Sequence, residues 1–428
     1  MTKQIVHEDL SIFFFTESER FEGDSTVFPS SFFTKNILTA TPSGLMYFNA
    51  CGIFIEASST YVIFPKGLIT DEMDEASLID HAGLLVQVFR KYNLKQNVSI
   101  QSEAVTSKQI EDSSAVFSLL DLLEDYLSHG PLVRETVIRE SGYNGRIDWR
   151  QTINKITPLI SKDTVHYLPP VIKRKVYERE STIQKIHLRC VADSFRKFGW
   201  IYGLGAPEEF FDVPDLDMGQ GEILRLLHAE LRMTFFDRDI HVIKLMIRYF
   251  EEIPTAKSEN PDSVFMYSLH FHTVFETMCM SVFNGMNAAE FDIPKPSWHM
   301  ADGSIKTTSQ IPDVLFVEDE ELYILDAKYY DYRYTLPGWG DLVKQHFYGF
   351  AFEGQYKSIH NIFLLPGAHK EMFDYIGFSI VPMVKVFSES KIYGFTIDCF
   401  TLMSLYTTNR FSNSRAELLK KLLQSREI

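Results

Sequence analysis

Cysteine is scarce in this sequence: there are four in 428 residues, far apart and with no Cys-x-x-Cys pair. This spacing argues against a structural zinc site and against a disulfide framework, and it suits a reducing cytoplasm. No run of about 18 apolar residues occurs, so no membrane-spanning helix is expected. The first twenty residues carry acids where a secretory signal has its basic region, which argues against a signal peptide.

Basic residues are also in short supply, with 42 Lys and Arg against 57 Asp and Glu and a net charge of -15. Nucleic-acid binding normally draws on Lys and Arg. The deficit is concentrated in residues 1–130, which hold 8 basic and 18 acidic residues, whereas residues 131–200 hold 14 basic and 7 acidic residues. The overall charge therefore leaves room for a local surface that faces DNA, outside the first 130 residues.

Material for a folded core is ample, because 45% of the residues are hydrophobic and 14% are aromatic. A single core rarely grows past ~250–300 residues, so several domains are expected. We predict a mixed α/β (α+β) fold in three parts. Residues 1–167 form an N-terminal mixed α/β domain, residues 168–255 a helical bridging region, and residues 256–428 a domain with a mixed central sheet flanked by helices.

The last of these parts has the clearest pattern. Its apolar periodicity predicts helices over residues 263–284 and 341–352 and strands over residues 313–317 and 322–330. Asp341 is predicted to be the N-cap of the second helix. These four elements together predict a β-hairpin with one helix before it and one after it.

The residues that carry chemistry lie in IPDVLFVEDEELYILDAKYYD, residues 311–331. A buried strand here runs straight into charged residues, and burial of a charge is costly unless the charge is paired or binds a metal. A symmetric turn at residues 319–320 sets Asp313 opposite Asp326 on one face, and Lys328 leaves the same face two residues later. Asp-Glu is not a favoured two-residue turn, so a wider loop with the same register is an alternative.

Two aspartates and a lysine on one face suit the hydrolysis of a phosphodiester. The two carboxylates and the carbonyl of Ala327 are hard oxygen ligands of the kind that Mg²⁺ prefers. The metal would lower the pKa of a bound water, and Lys328 would orient that water or help to deprotonate it. The alternative is an ordinary surface ion pair between Asp326 and Lys328 at a strand end, with Asp313 as a turn residue, because loose patterns of this kind also arise by chance.

Pro312-Asp313 followed by Asp326-Ala327-Lys328 resembles the motif of the PD-(D/E)xK nuclease superfamily, and most of the chain is similar to the LlaJI and McrC-type restriction endonuclease subunits. Weaker matches extend from about residue 50 to residue 350, at Gly52–Ile55, Phe64–Lys66, Gly145–Trp149, Thr152–Ile156, Tyr167–Lys175 and Lys197–Trp200. The resemblance implies that residues 256–428 form a PD-(D/E)xK nuclease domain. It also implies that residues 1–167 serve to dock a partner.

The resemblance adds side chains from the two flanking helices. The superfamily often has a glutamate on the helix before the hairpin, and Glu276 fits that place, although a solvated helix glutamate is an equal alternative. In many relatives a Gln or Lys on the following helix contacts the substrate phosphate or the lysine, which points to Gln345 and Lys344. The implied ligands of Mg²⁺, or of Mn²⁺ as a substitute, are Asp313, Asp326, Glu276 and the carbonyl of Ala327.

The function that the resemblance implies is that of a Mg²⁺-dependent DNA endonuclease subunit in a bacterial restriction system that acts against phage. Such subunits cut when they are assembled with a McrB-like AAA+ ring, which recognises DNA and hydrolyses GTP or ATP. The sequence has no G-x-x-x-x-G-K-[ST] loop, as expected of the subunit that does not hydrolyse the nucleotide. Two alternatives stay open: a stand-alone restriction or repair nuclease, and a non-catalytic adaptor that activates an NTPase.

Overall fold

The structure is a computed structural model with a mixed α/β fold, which confirms the predicted class. It describes residues 3–7, 10–24, 27–56, 59–99, 113–178, 181–204, 216–252, 264–283, 291, 293, 297–307, 311–381, 390–410 and 413–425. The chain divides into two compact units. The first consists of Met1–Ser113, Ile201–Gly203 and Asp262–Ile428, and the second of Ser114–Trp200 and Leu204–Pro261.

The strands in chain order are β1 (Lys3–His7), β2 (Leu10–Thr16), β3 (Phe21–Glu22), β4 (Leu38–Ala40), β5 (Leu45–Phe48), β6 (Cys51–Glu56), β7 (Ser59–Phe64), β8 (Arg134–Ser141), β9 (Arg146–Ile147), β10 (Leu159–Ser161), β11 (Thr164–His166), β12 (Val171–Glu178), β13 (Val264–Ser268), β14 (Ser297–His299), β15 (Ile305–Thr307), β16 (Val314–Glu318), β17 (Glu321–Ala327), β18 (Ser358–Gly367), β19 (Phe373–Ser379) and β20 (Ile392–Asp398). The helices are α1 (Ser30–Thr34), α2 (Glu75–Ser99), α3 (Ser113–His129), α4 (Trp149–Lys155), α5 (Thr182–Phe198), α6 (Gln220–Met233), α7 (Asp237–Glu252), α8 (Phe271–Val282), α9 (Trp339–Ala351), α10 (Cys399–Thr408) and α11 (Ser414–Ser425). None of these described helices is both long enough and apolar enough to cross a bilayer.

The first five-stranded sheet of the first unit has the order β1-β2-β7-β6-β13. Strands β2 and β7 are parallel, and the other neighbours are antiparallel. The strands are rich in β-branched and aromatic residues, which pack well on a pleated surface. One side of the sheet buries an aromatic core that includes Phe15, Phe32, Phe48 and Phe54. This core joins the sheet to α1 and to the small sheet β3-β5-β4.

Strand β13 corrects the single helix that was predicted over residues 263–284. Residues 264–268 pair with β6 as the edge strand of the first sheet, and α8 begins only at Phe271. A short apolar run fits a buried strand as well as a helix, and here the sheet partner decides between them. Because this strand completes a sheet whose other strands precede residue 65, the two-unit division differs from the predicted boundaries at residues 167 and 255.

The second five-stranded sheet has the order β16-β17-β18-β20-β19 and is mixed. β17, β18 and β20 run parallel, and both outer pairs are antiparallel. On one face, Leu322 and Ile324 pack against Tyr348 and Phe352, from α9 and the residue after it. The other face carries Phe316, whose ring lies parallel to that of Phe283 after α8. Helices therefore flank a mixed sheet, as the sequence predicted.

The second unit contains the sheet β8-β12-β9, the hairpin β10-β11 and helices α3 to α7. Helix α4 is capped by Asp148, whose side chain accepts a hydrogen bond from the amide of Gln151. A buried ion pair joins Asp193 to Lys197 at 2.6 Å on α5, and the hydroxyl of Tyr249 on α7 donates to the same carboxylate. These contacts fix α5 against α7.

Candidate active site

The hairpin of β16 and β17 has the predicted register. Val314 lies opposite Leu325, and the pairing continues to Glu318 opposite Glu321. The turn between them contains only residues 319–320, both in the left-handed region with φ of 49° and 63°. Positive φ at both central residues is the condition for a type I′ turn. The wider loop is therefore not formed, although neither turn residue is glycine or asparagine.

Both aspartates lie at the open end of this hairpin. Asp313 comes one residue before β16, and its Oδ2 accepts a hydrogen bond from the amide of Ala327 at 2.8 Å. Asp326 is the second-last residue of β17 and is only 1% exposed. Strand alternation puts Asp326 on the same face as Ile324, which packs against α9. The register thus brings the two carboxylates together as predicted.

Two ammonium groups hold the carboxylate of Asp326. Nζ of Lys328 lies 2.6 Å from Oδ2, and Nζ of Lys344 lies 3.7 Å from Oδ1. Lys328 also pairs with Oδ1 of Asp341 on α9 at 3.0 Å. Burial lowers the pKa of Lys328, but the contacts with the two carboxylates outweigh burial and raise it above its ordinary value. Lys328 is therefore charged at neutral pH.

Glu276 on α8 faces the two aspartates. Burial raises the pKa of Glu276 to about 7, and the negative charges of Asp313 and Asp326 add to this effect. Burial and then the charge of Asp326 raise the pKa of Asp313 to about 6, against the lowering effect of the Ala327 amide. Three carboxyl groups therefore share one partly buried pocket, in which each additional negative charge is disfavoured.

Gln345 on α9 forms a hydrogen bond that connects this helix to the sheet. Its side chain is fully buried, and Nε2 donates to the carbonyl of Ile324 at 2.9 Å. This bond fixes α9 to β17 two residues before Asp326, and a contact of Gln345 with substrate phosphate stays a prediction. Oε1 of Gln345 and the hydroxyl of Tyr348 are buried without a hydrogen-bond partner among the residues that the structure describes.

The donor atoms of the pocket fit a hard divalent cation in type and in charge. Asp313, Asp326 and Glu276 supply carboxylate oxygens, which Mg²⁺ prefers. The raised pKa values of Asp313 and Glu276 show that the pocket would be stabilised by additional positive charge. Within the described ranges, no three His, Cys, Asp or Glu side chains are already spaced around one point.

Asp341 has a role that the sequence analysis did not assign, and its prediction as N-cap is wrong. Helix α9 begins two residues earlier than Asp341, with Gly338 as N-cap. Oδ2 of Asp341 accepts from the Gly338 amide at 3.1 Å, and Oδ1 pairs with Lys328. The spacing of a helix-start residue followed three positions later by an acid is the sequence signal that would have found it.

A buried hydrogen-bond network around Tyr329, the residue after Lys328, could not be predicted from the sequence either. The hydroxyl of Tyr329 donates to Glu17 at 2.6 Å and accepts from the amide of Lys66 at 2.9 Å. The thiol of Cys51 donates to the same carboxylate at 3.2 Å. Burial raises the pKa of Glu17, while Lys66, Tyr329 and Cys51 act in the opposite direction. The network ties the end of the hairpin to the first sheet through partners up to 312 residues apart.

A family model matches residues 50–399, and its description is LlaJI restriction endonuclease. Because the match covers most of the sequence, the chain belongs to the LlaJI restriction endonuclease family. The predicted resemblance of the chain to the LlaJI family is thereby confirmed. A curated relative, the type II restriction enzyme BsuMI component YdjA of Bacillus subtilis (strain 168), is 26% identical over 388 residues, which are 83% of this chain and 82% of the relative.

Two solved structures from Thermococcus gammatolerans are remotely similar. The first is a half-complex from a tetradecameric assembly of McrB AAA+ hexamers with bound McrC, with a TM-score of 0.41 and 12% identity, over 94% of this chain and 99% of that one. The second is the McrBC complex, with a TM-score of 0.28 and 7% identity, over 62% of this chain and 84% of that one.

Proposed function

We propose that the chain is the Mg²⁺-dependent DNA-cleaving subunit of a bacterial restriction system. The observation that carries this proposal is the convergence of Asp313 and Asp326 at one end of a hairpin, with Lys328 paired to the second carboxylate. Membership of a restriction endonuclease family supports hydrolysis of DNA as the reaction. We also propose that residues around this hairpin form the PD-(D/E)xK nuclease core that the motif implies.

The carboxylates are suited to hold the metal that this reaction needs. The ligands of Mg²⁺, or of Mn²⁺ in its place, would be Asp313, Asp326, Glu276 and the carbonyl of Ala327. When bound, the ion would supply a Lewis acid for the charge that develops on the phosphate and would make a nearby water easier to deprotonate. The amide of Ala327 keeps the carboxylate of Asp313 oriented toward the pocket.

Lys328 is suited to donate hydrogen bonds rather than to accept a proton. Its pKa lies above the ordinary value of a lysine because of Asp326 and Asp341. A general base works best with a pKa near the operating pH. Lys328 would therefore position the phosphate or the attacking water through its N–H groups, and its contact with Asp341 would help to keep its ammonium in place.

We infer that cleavage takes place in an assembly with an AAA+ NTPase. The curated relative is described as a component of a restriction enzyme, and one of the two similar solved structures contains McrB AAA+ hexamers with bound McrC. The present sequence contains no P-loop, so nucleotide hydrolysis would have to come from the partner. A nuclease that works without a partner and a non-catalytic adaptor are the two competing functions.

Plasmid cleavage tests the proposal. The purified chain is incubated with plasmid and Mg²⁺, with and without a McrB-like AAA+ NTPase from the same organism, as wild type, Asp326→Ala and Lys328→Ala. Both substitutions should lower the cleavage rate by roughly 100-fold or more, because each removes several kcal/mol of charge stabilisation. Asp319→Asn is the matched control, because this acid lies exposed at the opposite end of the same hairpin.

The outcomes separate the three functions. Mg²⁺-dependent cutting that requires the partner supports the proposal. Robust site-specific cutting by the chain alone favours a stand-alone nuclease. Wild-type restriction of phage by cells that carry Asp326→Ala or Lys328→Ala favours the adaptor, because a non-catalytic role does not need these side chains.

A further inference from the structure

The segment between β17 and α9 presents aromatic side chains to solvent. Tyr334 is 84% exposed, Trp339 is 68% exposed and Tyr332 is 39% exposed, and the side chain of Leu336 beside them is 63% exposed. We call Tyr332, Tyr334 and Trp339 the aromatic rim. Large aromatic side chains gain much free energy from burial, so a group of them in solvent marks a binding surface more often than a single exposed residue does.

One end of the aromatic rim is fixed to the candidate active site. Asp341 accepts the Gly338 amide with one oxygen and pairs with Nζ of Lys328 at 3.0 Å with the other. Trp339 follows Gly338 directly and is the first residue of α9. It precedes Asp341 by two residues, about 3 Å along the helix axis. The backbone at the start of α9 is therefore held close to the ammonium of Lys328.

The other end of the aromatic rim is a hydrogen-bonded turn. Arg333 forms two bonds with the carboxylate of Asp331, at 2.9 and 2.7 Å. The carbonyl of Asp331 accepts the amides of Tyr334 and Thr335. The guanidinium of Arg333 lies 5.6 Å from the ring centre of Tyr334. The rings thus stand on ordered backbone, with a cation beside them.

Basic side chains lie near these rings, and each of them is paired with a carboxylate. Arg333 is largely exposed, and Lys344 and Lys328 lie on the side of the carboxylates. Aromatic rings between basic side chains are the combination with which proteins hold single-stranded nucleic acid, because each base offers a flat face and each nucleotide a negative phosphate. A protein partner with an apolar surface would not make use of these cations.

We propose that the aromatic rim stacks on unpaired bases of the DNA strand next to the phosphate that is cut. Bases within a duplex already stack on each other, so a side chain reaches a base face only where the strand is unpaired or a base is turned out. The substrate at the moment of cleavage is then locally unpaired DNA. This inference rests on the proposed function of the hairpin, and it specifies the form of the substrate.

The experiment measures binding of the full chain to a fluorescein-labelled single strand and to the blunt duplex of the same sequence, by fluorescence anisotropy. A chelator is present, so that no cutting takes place. Trp339→Ala should raise the dissociation constant for the single strand by roughly 5- to 100-fold, which is the range expected when one base–aromatic stack is lost. Trp339→Phe should restore most of this loss. The unfolding midpoint should not change, since the indole is exposed.

Phe347→Ala is the matched control. Phe347 is 41% exposed on α9, about two turns after Trp339 and outside the aromatic rim. Its removal should change the affinity for the single strand by less than about twofold, within ordinary surface effects. Equal losses of DNA affinity in Phe347→Ala and Trp339→Ala would overturn the proposal, because the effect would not be specific to the aromatic rim. If Trp339→Ala keeps its DNA affinity but no longer elutes with the partner NTPase, the proposal is also wrong and the aromatic rim is a protein-docking face.

The two proposals can fail separately. If the wild type cuts plasmid but Trp339→Ala binds the single strand as well as wild type does, the base-stacking proposal is wrong and the nuclease assignment stands. If Trp339 is needed to bind the single strand but no DNA is cut with Mg²⁺ and partner, the nuclease assignment is wrong. If the wild type binds neither oligonucleotide, the base-stacking proposal is wrong, and the nuclease assignment is decided by plasmid cleavage with Mg²⁺ and partner.

Discussion

Lys328 explains why a buried strand can end in an aspartate. Its ammonium lies between Asp326 and Asp341, and Lys344 approaches Asp326 from the other side. A buried carboxylate of this kind is tolerated only because opposite charge lies next to it. The alternative of an ordinary surface ion pair is ruled out for this hairpin, because Asp326 is 1% exposed.

The sequence was sufficient to place Asp313 opposite Asp326, because strand alternation and a symmetric turn fix the register. It was not sufficient to find the pairing of Asp341 with Lys328 or the bond of Gln345 to Ile324. Both contacts depend on where α9 starts and how it packs on the sheet, and helix boundaries are the least certain part of a pattern. Similarly, the contact of Glu17 with Tyr329 depends on how the two five-stranded sheets pack together, and no local sequence pattern predicts that packing.

His187 gives a prediction for acid stability. It is fully buried in the second unit, and Nδ1 accepts the amide of Leu132 at 3.1 Å. Burial lowers the pKa of His187 to about 4. In the unfolded chain the imidazole binds a proton below pH ~6.5, whereas the folded state excludes it until about pH 4. Stability is therefore unaffected at pH 7 and is lost as the pH falls, by about 2 kcal/mol at pH 5.

His187→Asn tests this prediction, because the amide oxygen can still accept the Leu132 N–H but does not titrate. Urea unfolding at pH 7 and pH 5 is compared for both proteins. The variant should lose about 2 kcal/mol less than wild type between the two pH values. Parallel losses would show that His187 is not the group that resists protonation.

At the scale of elements, the end of β17 is fixed to the first sheet by the hydroxyl of Tyr329. Removal of this group in Tyr329→Phe leaves the buried carboxylate of Glu17 with one donor fewer. Hydrogen bonds to charged groups contribute about 1.5–3 kcal/mol, so the free energy of unfolding should fall by about that amount in urea titrations. The neighbour Tyr330 gives the matched control, since its hydroxyl forms no hydrogen bond with the described part of the chain.

Tyr330→Phe should therefore change the free energy of unfolding by less than about 0.5 kcal/mol. Glu17→Gln should reduce the further effect of Tyr329→Phe, because the two groups interact directly. If the two tyrosine variants unfold at the same urea concentration, the contact of Tyr329 with Glu17 does not hold the sheets together.

The turn after β7 gives a second prediction for elements. Gly67 has a φ of +71°, and a Cβ there would lie 2.7 Å from the backbone nitrogen of Gly367 at the end of β18. Gly44 has a similar φ of +83°, but open space surrounds the same position. Gly44→Ala should cost about 1–2 kcal/mol, the strain of a left-handed alanine alone. Gly67→Ala should cost clearly more, because backbone cannot move aside as a side chain does.

Thermal unfolding of both glycine variants measures this difference. The melting temperature of Gly67→Ala should be lower than that of Gly44→Ala by several degrees, roughly 2–4 °C for each additional kcal/mol. Equal melting temperatures would contradict the close approach of the turn to β18.

At the scale of the whole molecule, the division into two units could not be predicted from the sequence. Strand β13 joins β6 across about 210 residues, and this pairing places both ends of the chain in one unit. The sequence of residues 264–268 does not indicate that this strand pairs with β6. The mixed sheet with flanking helices was predictable, because alternating strand and helix patterns leave few ways to bury their apolar faces.

The net charge of -15 also belongs to this scale. The chain as a whole repels DNA, so contact with DNA must rely on local cations, of which Lys328, Lys344 and Arg333 lie around the carboxylates. Few phosphate contacts imply a shallow dependence of affinity on salt. A bound divalent cation would add positive charge at the place where the phosphate has to approach.

Binding of Mn²⁺ tests the central claim most directly. Free Mn²⁺ is titrated by electron paramagnetic resonance in the presence of wild type, Asp313→Asn, Asp326→Asn and the control Asp319→Asn, without DNA and without a partner. The account predicts saturable binding by wild type and by the control, and loss of that binding in each of the other two variants. Saturable binding that survives in Asp326→Asn, or no saturable binding by wild type, would contradict it.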